Sequence, residues 1–383
     1  MAGSRLTNDV KSSEQEDTIK IVYDQQPRDT TCDHEPWPCR INASHQPVIP
    51  ARIFAPRSIL PLAEEEFGGR IPGFLNAAFK ILGPHPFSRL DLVILPRCFA
   101  SMGLASPSIV FISQSLLSGD GSLCSRLAHE ITHSWFGLLI GAMDWTEEWL
   151  SEGFATFLED PVQSIAENWT KEKFHEISNL RALLRFKALK AEIENTASEL
   201  QIMRPMGDQS HMRNALWSVM LKMADIRING FYKYIISSEN GINQDVIDKE
   251  WLDSPGIPKI LNQERFIKGN KLIEQVVSES GRLRQKTLAK LREDFELHLK
   301  NAEIRHRWCE LVIKHRFMDG YGDIRMFLLK DQSMGVYLYG ELLASEDSIQ
   351  RLLAETCYEA VATVMDRGCR RTVEEMLGIQ QSK

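Results

Sequence analysis

The pattern of apolar and polar positions predicts an α/β part at the start of this chain. Runs of branched apolar residues at Leu90–Leu95 and Ser108–Ser113 predict two buried strands. An apolar spacing close to the helical repeat predicts one or two helices over Leu62–Leu82, broken at Gly68–Gly69 and at Pro72. These elements alternate as strands and helices do in a mixed layer structure.

The flanking stretches are less regular. The proline-rich sequence Val48–Pro56 favours strand and loop, whereas residues 1–30 are polar and predict a disordered or poorly packed start. Ser122 is a candidate N-cap for a helix that extends to about Leu139. A second helix is predicted to begin within 144–146 and to continue past Phe157.

The last third of the chain has a different pattern. From about Lys271, helical stretches follow one another with short Gly, Asp or Ser breaks, and no strand signal lies between them. The stretches are Arg282–Leu299, Ala302–Phe317, Ile324–Leu329, Met334–Ala344, Ser348–Met365 and Arg370–Leu377. This succession is typical of stacked helix pairs, and it predicts an α-solenoid.

Composition and charge exclude several classes of protein. The chain has 383 residues, of which 43% are hydrophobic and 25% charged, values typical of a globular protein with two or three domains. A net charge of −7 gives no basic excess, so a nucleic-acid partner is not expected. The seven cysteines are scattered without a CxxC pair, which predicts reduced thiols rather than disulfide bonds.

Nothing in the sequence predicts a membrane or secreted protein. The apolar run Trp135–Met143 is too short to span a bilayer, and the N-terminal sequence lacks the apolar region of a signal peptide. We therefore expect a cytoplasmic protein without membrane partners. Arg367, Arg370 and Arg371 leave a nuclear or nucleolar address open as the alternative.

One segment carries candidate chemistry, the pentapeptide from His129 to His133, which reads HEITH. Residues four apart lie on one face of a helix, so the two imidazoles can reach a single metal ion. Glu130 lies one residue further round the helix, close enough to take a proton from a water molecule at that metal. The pattern also occurs by chance in unrelated proteins, so its context decides the interpretation.

A third ligand follows within Leu150–Gly153. Eighteen residues separate His133 from Glu152, the distance that a helix needs to end, turn and return a carboxylate from a second helix. Two imidazoles and a carboxylate, with one position left open, form a ligand set that suits Zn²⁺. The sequence therefore predicts one zinc ion per chain bound by His129, His133 and Glu152. The predicted catalytic base is Glu130.

The alternative is that the two histidines are core residues and that Glu152 is a surface charge. Leu127 and Ile131 surround the polar groups with apolar residues. Burying imidazoles and a carboxylate there costs roughly several kcal/mol unless a metal or buried partners compensate, which argues against this alternative. Glu148 precedes Glu152 by one helical turn, and it either supports a ligating histidine or is an exposed carboxylate at a helix start.

The segments His129–Trp135 and Glu152–Ala155 resemble the gluzincin zinc aminopeptidases. Further stretches support the resemblance: Val48–Pro56, Leu90–Pro96, Asp144–Asp160 and Asn301–Arg316. The similarity covers about residues 48–205 and 250–378, which is most of the chain.

The resemblance implies an α/β plus all-α fold, with a thermolysin-like catalytic domain followed by a C-terminal armadillo-like α-solenoid. Residues 48–260 are then the zinc peptidase domain and residues 261–383 the solenoid, while residues 1–47 are a disordered or remnant N-terminal segment. By the same resemblance, we expect the N-terminal β-sandwich of the family to be largely missing from this sequence. The implied activity is removal of single N-terminal residues from peptide substrates, with the same three zinc ligands and with Glu130 as the base that activates water.

The chain departs from the family where the substrate's amino group binds. The family has a Gly-x-Met-Glu-Asn stretch whose Glu holds the free α-amine. This chain has Gly103–Ser106 there, with Ala105 in place of that Glu. An ammonium group needs a carboxylate partner, and a methyl group cannot supply one.

Two further departures concern the oxyanion and the substrate's carboxylate. The family's tyrosine, which stabilises the oxyanion, has no clear counterpart, and Tyr232 is either a substitute or a core residue. Leukotriene-type members use an Arg and a Lys to hold a substrate carboxylate, whereas this chain has Ser333 and Gly335.

Two functions remain open at this point. The first is a zinc aminopeptidase with weakened activity, which the intact HExxH motif and its third ligand favour. The alternative is a zinc-binding pseudo-peptidase whose helical solenoid engages a protein partner, which Ala105 and the missing tyrosine favour.

Overall fold

A five-stranded sheet forms the centre of the first part of the chain in a computed structural model of the protein. The structure describes residues 18–23, 49–99, 101–144, 147–195, 197–202, 253–255 and 283–379. The strands are β1 Thr18–Tyr23, β2 Ala51–Pro56, β3 Leu90–Leu95, β4 Gly103–Ser106 and β5 Ile109–Ser113. Their order across the sheet is β1-β2-β3-β5-β4.

The three central strands are parallel, and they carry the buried apolar runs that the sequence predicts. Ile53 of β2 pairs with Leu92 of β3, which in turn pairs with Val110 of β5, and all three side chains are buried. Strands that are covered on both faces favour such runs of branched residues. The predicted strands at 90–95 and 108–113, and the strand within 48–56, are confirmed.

Both edge strands are antiparallel, and the sequence pattern missed both. β1 pairs with β2, so the prediction of a disordered start is wrong for residues 18–23. β4 pairs with β5 across a tight turn in which Ser108 has a φ of 65°. Gly103–Ser106 has little intrinsic strand preference, and it becomes a strand through its hydrogen bonds to β5.

Helices cover the sheet. Before β3 the chain forms α1 Leu60–Ala63, a π-helical turn Glu64–Gly68 and α2 Ile71–Leu82. The predicted break at Gly68–Gly69 is confirmed, whereas the predicted break at Pro72 is wrong. Pro72 lies in the first turn of α2, where a helix needs no backbone N–H donor.

The helix with the HExxH motif is shorter than predicted. α3 spans Ser125–Thr132, follows Cys124 rather than a cap at Ser122, and ends seven residues before Leu139. Gly137 has a φ of 113° and donates its N–H to the carbonyl of Ile140, and this turn replaces further helix.

The second predicted helix begins as a π-helical turn. This turn covers Trp149–Gly153 and continues directly into α4 Phe154–Ala166, which is followed by α5 Lys171–Asn195. α3 packs against α4, and both contribute to the core that lies over the sheet. The zinc-ligand candidates of α3 and of the π-helical turn therefore lie on two helical segments that touch.

The last third of the chain is helical, as predicted. The helices are α6 Gln285–Asp294, α7 Ala302–His315, α8 Tyr321–Lys330, α9 Gln332–Ala344, α10 Ser348–Val361 and α11 Arg367–Leu377. They enclose a second core, separate from the first, whose largest buried side chains include Trp308, Phe317 and Tyr339. The predicted domain boundary at 260/261 lies outside the described residues.

Asp331, at the start of α9, joins the helical part to the sheet part. Its fully buried carboxylate accepts hydrogen bonds from Arg97 Nη1 and Ser115 Oγ, both at 2.8 Å, and these two residues follow β3 and β5. Arg305 of α7 approaches the other carboxylate oxygen at 2.9 Å. One buried acid thus connects groups from both cores.

No helix within the described residues is long and apolar enough to cross a membrane. The five cysteines that the structure describes are free thiols: Cys98, Cys124, Cys309, Cys357 and Cys369.

Candidate metal centre

α3 presents the HExxH motif on a buried face. The side chains of His129, Glu130 and His133 are all buried, and the two imidazole ring centroids are 4.6 Å apart. The Nε2 atoms of His129 and His133 lie 3.0 Å from each other. The one-turn spacing of the sequence therefore brings two metal-ligating atoms together, as predicted.

Glu152 completes the group from the π-helical turn before α4. One carboxylate oxygen lies 3.2 Å from Nε2 of His129, and the other lies 3.6 Å from Nε2 of His133. The three residues form a group that could hold a metal ion, with ligand atoms within 4.8 Å of one another. A tetrahedral zinc ion with bonds of about 2.0–2.1 Å separates its ligand atoms by about 3.3 Å. The observed separations fit that ion.

Hydrogen bonds fix which nitrogen of each imidazole faces the centre. Nδ1 of His129 donates to Oε1 of Glu159 at 3.0 Å, and Nδ1 of His133 donates to the carbonyl of Phe136 at 3.0 Å. Both acceptors lack a hydrogen, so each Nδ1 carries one. Nε2 of each ring is therefore the nitrogen available to a metal.

Gly137 supports the same arrangement from the turn after α3. A Cβ atom at this position would lie 2.5 Å from Oγ of Ser151 and 3.3 Å from Nδ1 of His133. The close approach and the positive φ both require glycine. The turn can therefore bring the carbonyl of Phe136 to His133.

Glu130 lies beside the ligands and against β4. A Cβ atom on Gly103 would overlap the Glu130 carboxylate, so the absent side chain at 103 leaves room for the acid. Burial raises the pKa of Glu130 to about 7, with the charges of Glu152 and Glu159 adding to the rise and those of His129 and Arg126 opposing it. Glu130 can therefore exchange a proton near neutral pH.

The pKa values of the two histidines shift in opposite directions. Burial alone would lower the pKa of His129, but hydrogen bonds with Glu152 and Glu159 raise it to about 9. Burial and the charge of His129 lower the pKa of His133. The carboxylates of Glu152 and Glu159 thus favour positive charge on the imidazole that lies between them. The same electrostatic environment favours the binding of a divalent cation.

Glu159 is the residue that the sequence analysis missed. It is buried, and it bonds Arg185 at 2.9 Å in addition to His129, with Arg126 at 3.6 Å. Burial would raise its pKa, but these partners hold the pKa well below its ordinary value. Glu159 follows Glu152 by seven residues, or two helical turns, and this same-face spacing was the available signal.

The structure brings together the four predicted site residues His129, Glu130, His133 and Glu152. Among the described residues, it is Glu159 rather than Glu148 that bonds Nδ1 of His129. Burial and the charge of Glu152 raise the pKa of Glu148.

The structure describes three of the four residues at which the chain departs from the family pattern. Ala105 lies on β4 two residues after Gly103 and packs against the same core as α3 and α4. Ser333 lies in α9, where its hydroxyl donates to the carbonyl of Arg97 at 3.4 Å, and Gly335 packs against Leu328. Tyr232, the weighed substitute for the oxyanion tyrosine, lies outside the described residues.

Two family models match this chain. Residues 69–214 match the peptidase family M1 domain, and residues 270–377 match the C-terminal domain of leukotriene A4 hydrolase. The first match includes the whole candidate metal centre, and the second covers α6 to α11.

Several curated proteins are similar to this chain over most of its length. Aminopeptidase O of Mus musculus is 36% identical over 446 residues, which cover 91% of this chain and 54% of the relative. Aminopeptidase O of Homo sapiens is 35% identical, with 90% and 54% covered, and aminopeptidase B of Mus musculus is 24% identical, with 87% and 62% covered. The chain thus spans about half the length of the aminopeptidase O relatives that it matches.

Solved structures share the fold. Yeast leukotriene A4 hydrolase in complex with bestatin has a TM-score of 0.67 at 16% identity, over 86% of this chain and 66% of that protein. The native yeast enzyme has a TM-score of 0.65 at 17% identity, over 86% and 65%. This likeness covers both the sheet part and the helical part.

Proposed function

Residues 69–214 match the peptidase family M1 domain, and on that premise we propose that the chain is a zinc aminopeptidase of this family that removes single residues from the N-termini of peptides. The observation that carries the proposal is the convergence of His129, His133 and Glu152 beside the buried acid Glu130. The similarity to aminopeptidases O and B supports the same reaction class.

The donor set indicates which residues hold the metal. Nε2 of His129, Nε2 of His133 and the Glu152 carboxylate would bind one zinc ion per chain, which leaves one position open. Zinc bound there supplies Lewis-acid chemistry, polarising the scissile carbonyl and activating a water molecule.

Glu130 performs the proton transfers in this proposal. It does not belong to the group of metal-ligating atoms, but it is buried beside them, where a carboxylate can take a proton from water and return it to the leaving amine. Its position against Gly103 fixes where that exchange takes place. The peptide would then lie along β4 beside the proposed zinc ligands, with its N-terminus near Ala105.

A second candidate function is a zinc-binding pseudo-peptidase that engages a protein partner through the helical part. The observation that favours it is Ala105, whose methyl group on β4 cannot pair with a substrate ammonium. We also propose that α6 to α11 form an armadillo-like solenoid, since the helices follow one another with short breaks and share one core.

For the compartment we propose the cytoplasm, with a nuclear or nucleolar address as the alternative. That alternative rests on Arg367, Arg370 and Arg371. Two of these arginines pair with acids one turn away on α11, Arg370 with Glu374 and Arg371 with Glu375, which weakens them as a basic signal.

One experiment tests the function. The purified chain is assayed for zinc content and for turnover of a panel of peptides with different N-terminal residues. We expect about one zinc per chain and measurable turnover, loss of zinc in His133→Ala, and retained zinc without turnover in Glu130→Gln. Zinc without turnover in the wild type would favour the pseudo-peptidase, and a natively folded chain that binds no zinc would contradict both functions.

A further inference from the structure

α5 places an arginine beneath the metal centre. Nη2 of Arg185 lies 2.9 Å from Oε2 of Glu159, and Nη1 lies 3.5 Å from Oδ2 of Asp160. The Arg185 side chain is only 15% exposed. Arg185 is 26 residues from Glu159 in the chain, so only the packing of α5 against α4 brings the two together.

The two oxygens of Glu159 have different partners. Oε1 accepts from Nδ1 of His129, and Oε2 accepts from Arg185. Arg126 also approaches Glu159, but at 3.6 Å and on the Oε1 side. Arg185 is therefore the hydrogen-bond donor that fixes the far end of this buried carboxylate, and it sets the angle at which Oε1 meets His129.

We propose that Arg185 is a positioning residue for the metal centre, acting through Glu159 on His129. By holding Oε2, Arg185 keeps Oε1 on Nδ1 of His129, and Nε2 of that ring then faces Glu152 and His133. The proposal rests on the proposed zinc site, and it adds that the affinity of the site depends on a helix that supplies no ligand.

General chemistry supports a large effect. Partners that orient a ligating histidine typically change metal affinity by 10- to 100-fold when they are removed. A guanidinium group holds a carboxylate with a planar fork of donors, which an ammonium or an amide cannot reproduce. Without Arg185, Glu159 is a buried acid free to turn away from His129.

The neighbouring Arg181 provides a matched control. It lies one turn earlier on α5 and bonds Asp160, and its Nη2 donates to Gln163 at 3.1 Å. Arg181→Gln therefore breaks the same cluster of charges and removes the same side chain type, but it leaves the hydrogen bond between Arg185 and Glu159 in place.

The test measures the zinc dissociation constant of the full chain by competition with a chromophoric chelator. We expect Arg185→Gln to weaken zinc binding by about 10- to 100-fold, Arg181→Gln to change it by less than about threefold, and Arg185→Lys to fall between them. A second measurement, the visible absorption spectrum of the Co²⁺-loaded proteins, reports ligand geometry, and we expect it to change only in the Arg185 variants.

The outcomes separate the two proposals. If the wild type binds zinc and the Arg185 and Arg181 variants bind it equally, with unchanged Co²⁺ spectra, the positioning role is wrong and the zinc site stands. If the natively folded wild type binds no zinc, both the proposed function and this role fall. Arg185→Lys keeps the test decisive if Arg185→Gln does not fold.

Discussion

Gly103 of β4 faces the carboxylate of Glu130 on α3 so closely that a Cβ atom at position 103 would overlap the acid. Because no side chain projects from residue 103, the edge strand can lie directly on the candidate base. The edge strand β4 and the proposed catalytic base are thereby held in one fixed relationship.

Gly103→Ala should therefore remove activity without removing the metal. The added methyl group would push Glu130 out of its position, and a misplacement of about 1 Å can cost about 100-fold in rate. None of the three ligands contacts residue 103 in this way, so zinc content should stay at the wild-type level. The check is kcat on the best reporter peptide together with zinc content, and unchanged kcat would contradict the assigned position of Glu130.

The sequence predicted the metal-ligand candidates of this site because short-range spacing along the chain reports them. His129 and His133 are one turn apart, and Glu152 follows after a gap that a turn between two helices explains. The strand Leu90–Leu95 was predicted with its correct ends because all its residues except Asp91 are branched and apolar, and most of the strand is buried.

The rest could not be predicted because it depends on packing. β4 is a strand only because it pairs with β5. The turn at Gly137, which follows α3, prevents the helix from continuing to Leu139. Arg185 reaches Glu159 from a different helix. No local pattern reports that contact.

The buried acid Asp331 should hold the two parts of the chain together. Asp331→Asn would leave Arg97 and Arg305 without a carboxylate between them, and breaking a buried ion pair from one side costs about 3–5 kcal/mol. Both arginines are partly exposed, so we expect a loss below that range.

Calorimetry can measure this effect. We expect Asp331→Asn to lower the melting temperature and to separate the unfolding of the sheet part from that of the helical part. Ser122→Ala is the control, because Ser122 accepts a hydrogen bond that also crosses between the parts, from Asn301 at 2.7 Å, but that bond is exposed. Equal effects of the two substitutions would contradict a special role for Asp331.

His85 should make the stability of the sheet part sensitive to acid. Its ring packs edge-on against Trp135, and its Nδ1 donates a hydrogen bond to the backbone carbonyl of Phe87 at 2.8 Å. Burial lowers the pKa of His85, and the hydrogen bond with the Phe87 backbone only partly opposes it. The unfolded chain, with a histidine pKa of about 6.5, therefore binds the proton more readily than the folded chain.

The sign of the effect follows from this difference. His85 contributes its full stabilisation above about pH 6.5 and loses it as the pH falls below that value. His85→Asn retains an N–H donor for the Phe87 carbonyl but does not titrate. We expect the gap in unfolding free energy between wild type and variant, from urea titrations, to shrink between pH 7.5 and pH 5. A gap that is constant over this range would contradict the assignment.

Ala105 offers the sharpest test of how the substrate's N-terminus is recognised. Side chains two residues apart on a strand point to the same face, so residue 105 faces the same side of the sheet as Gly103 and Glu130. Ala105→Glu places a carboxylate where a peptide ammonium can meet it, and charge-assisted hydrogen bonds of this kind are about twice as strong as neutral ones. We expect KM to fall for peptides with a free N-terminus. The preference of the enzyme for these peptides over N-acetylated peptides should rise by about tenfold or more, with kcat changed far less.

Ala105→Gln is the matched control, since it adds the same bulk without the charge and should not sharpen the preference. If the wild type already rejects acetylated peptides and Ala105→Glu adds nothing, another acid binds the amine, and Glu147 and Glu148 are the residues to substitute next.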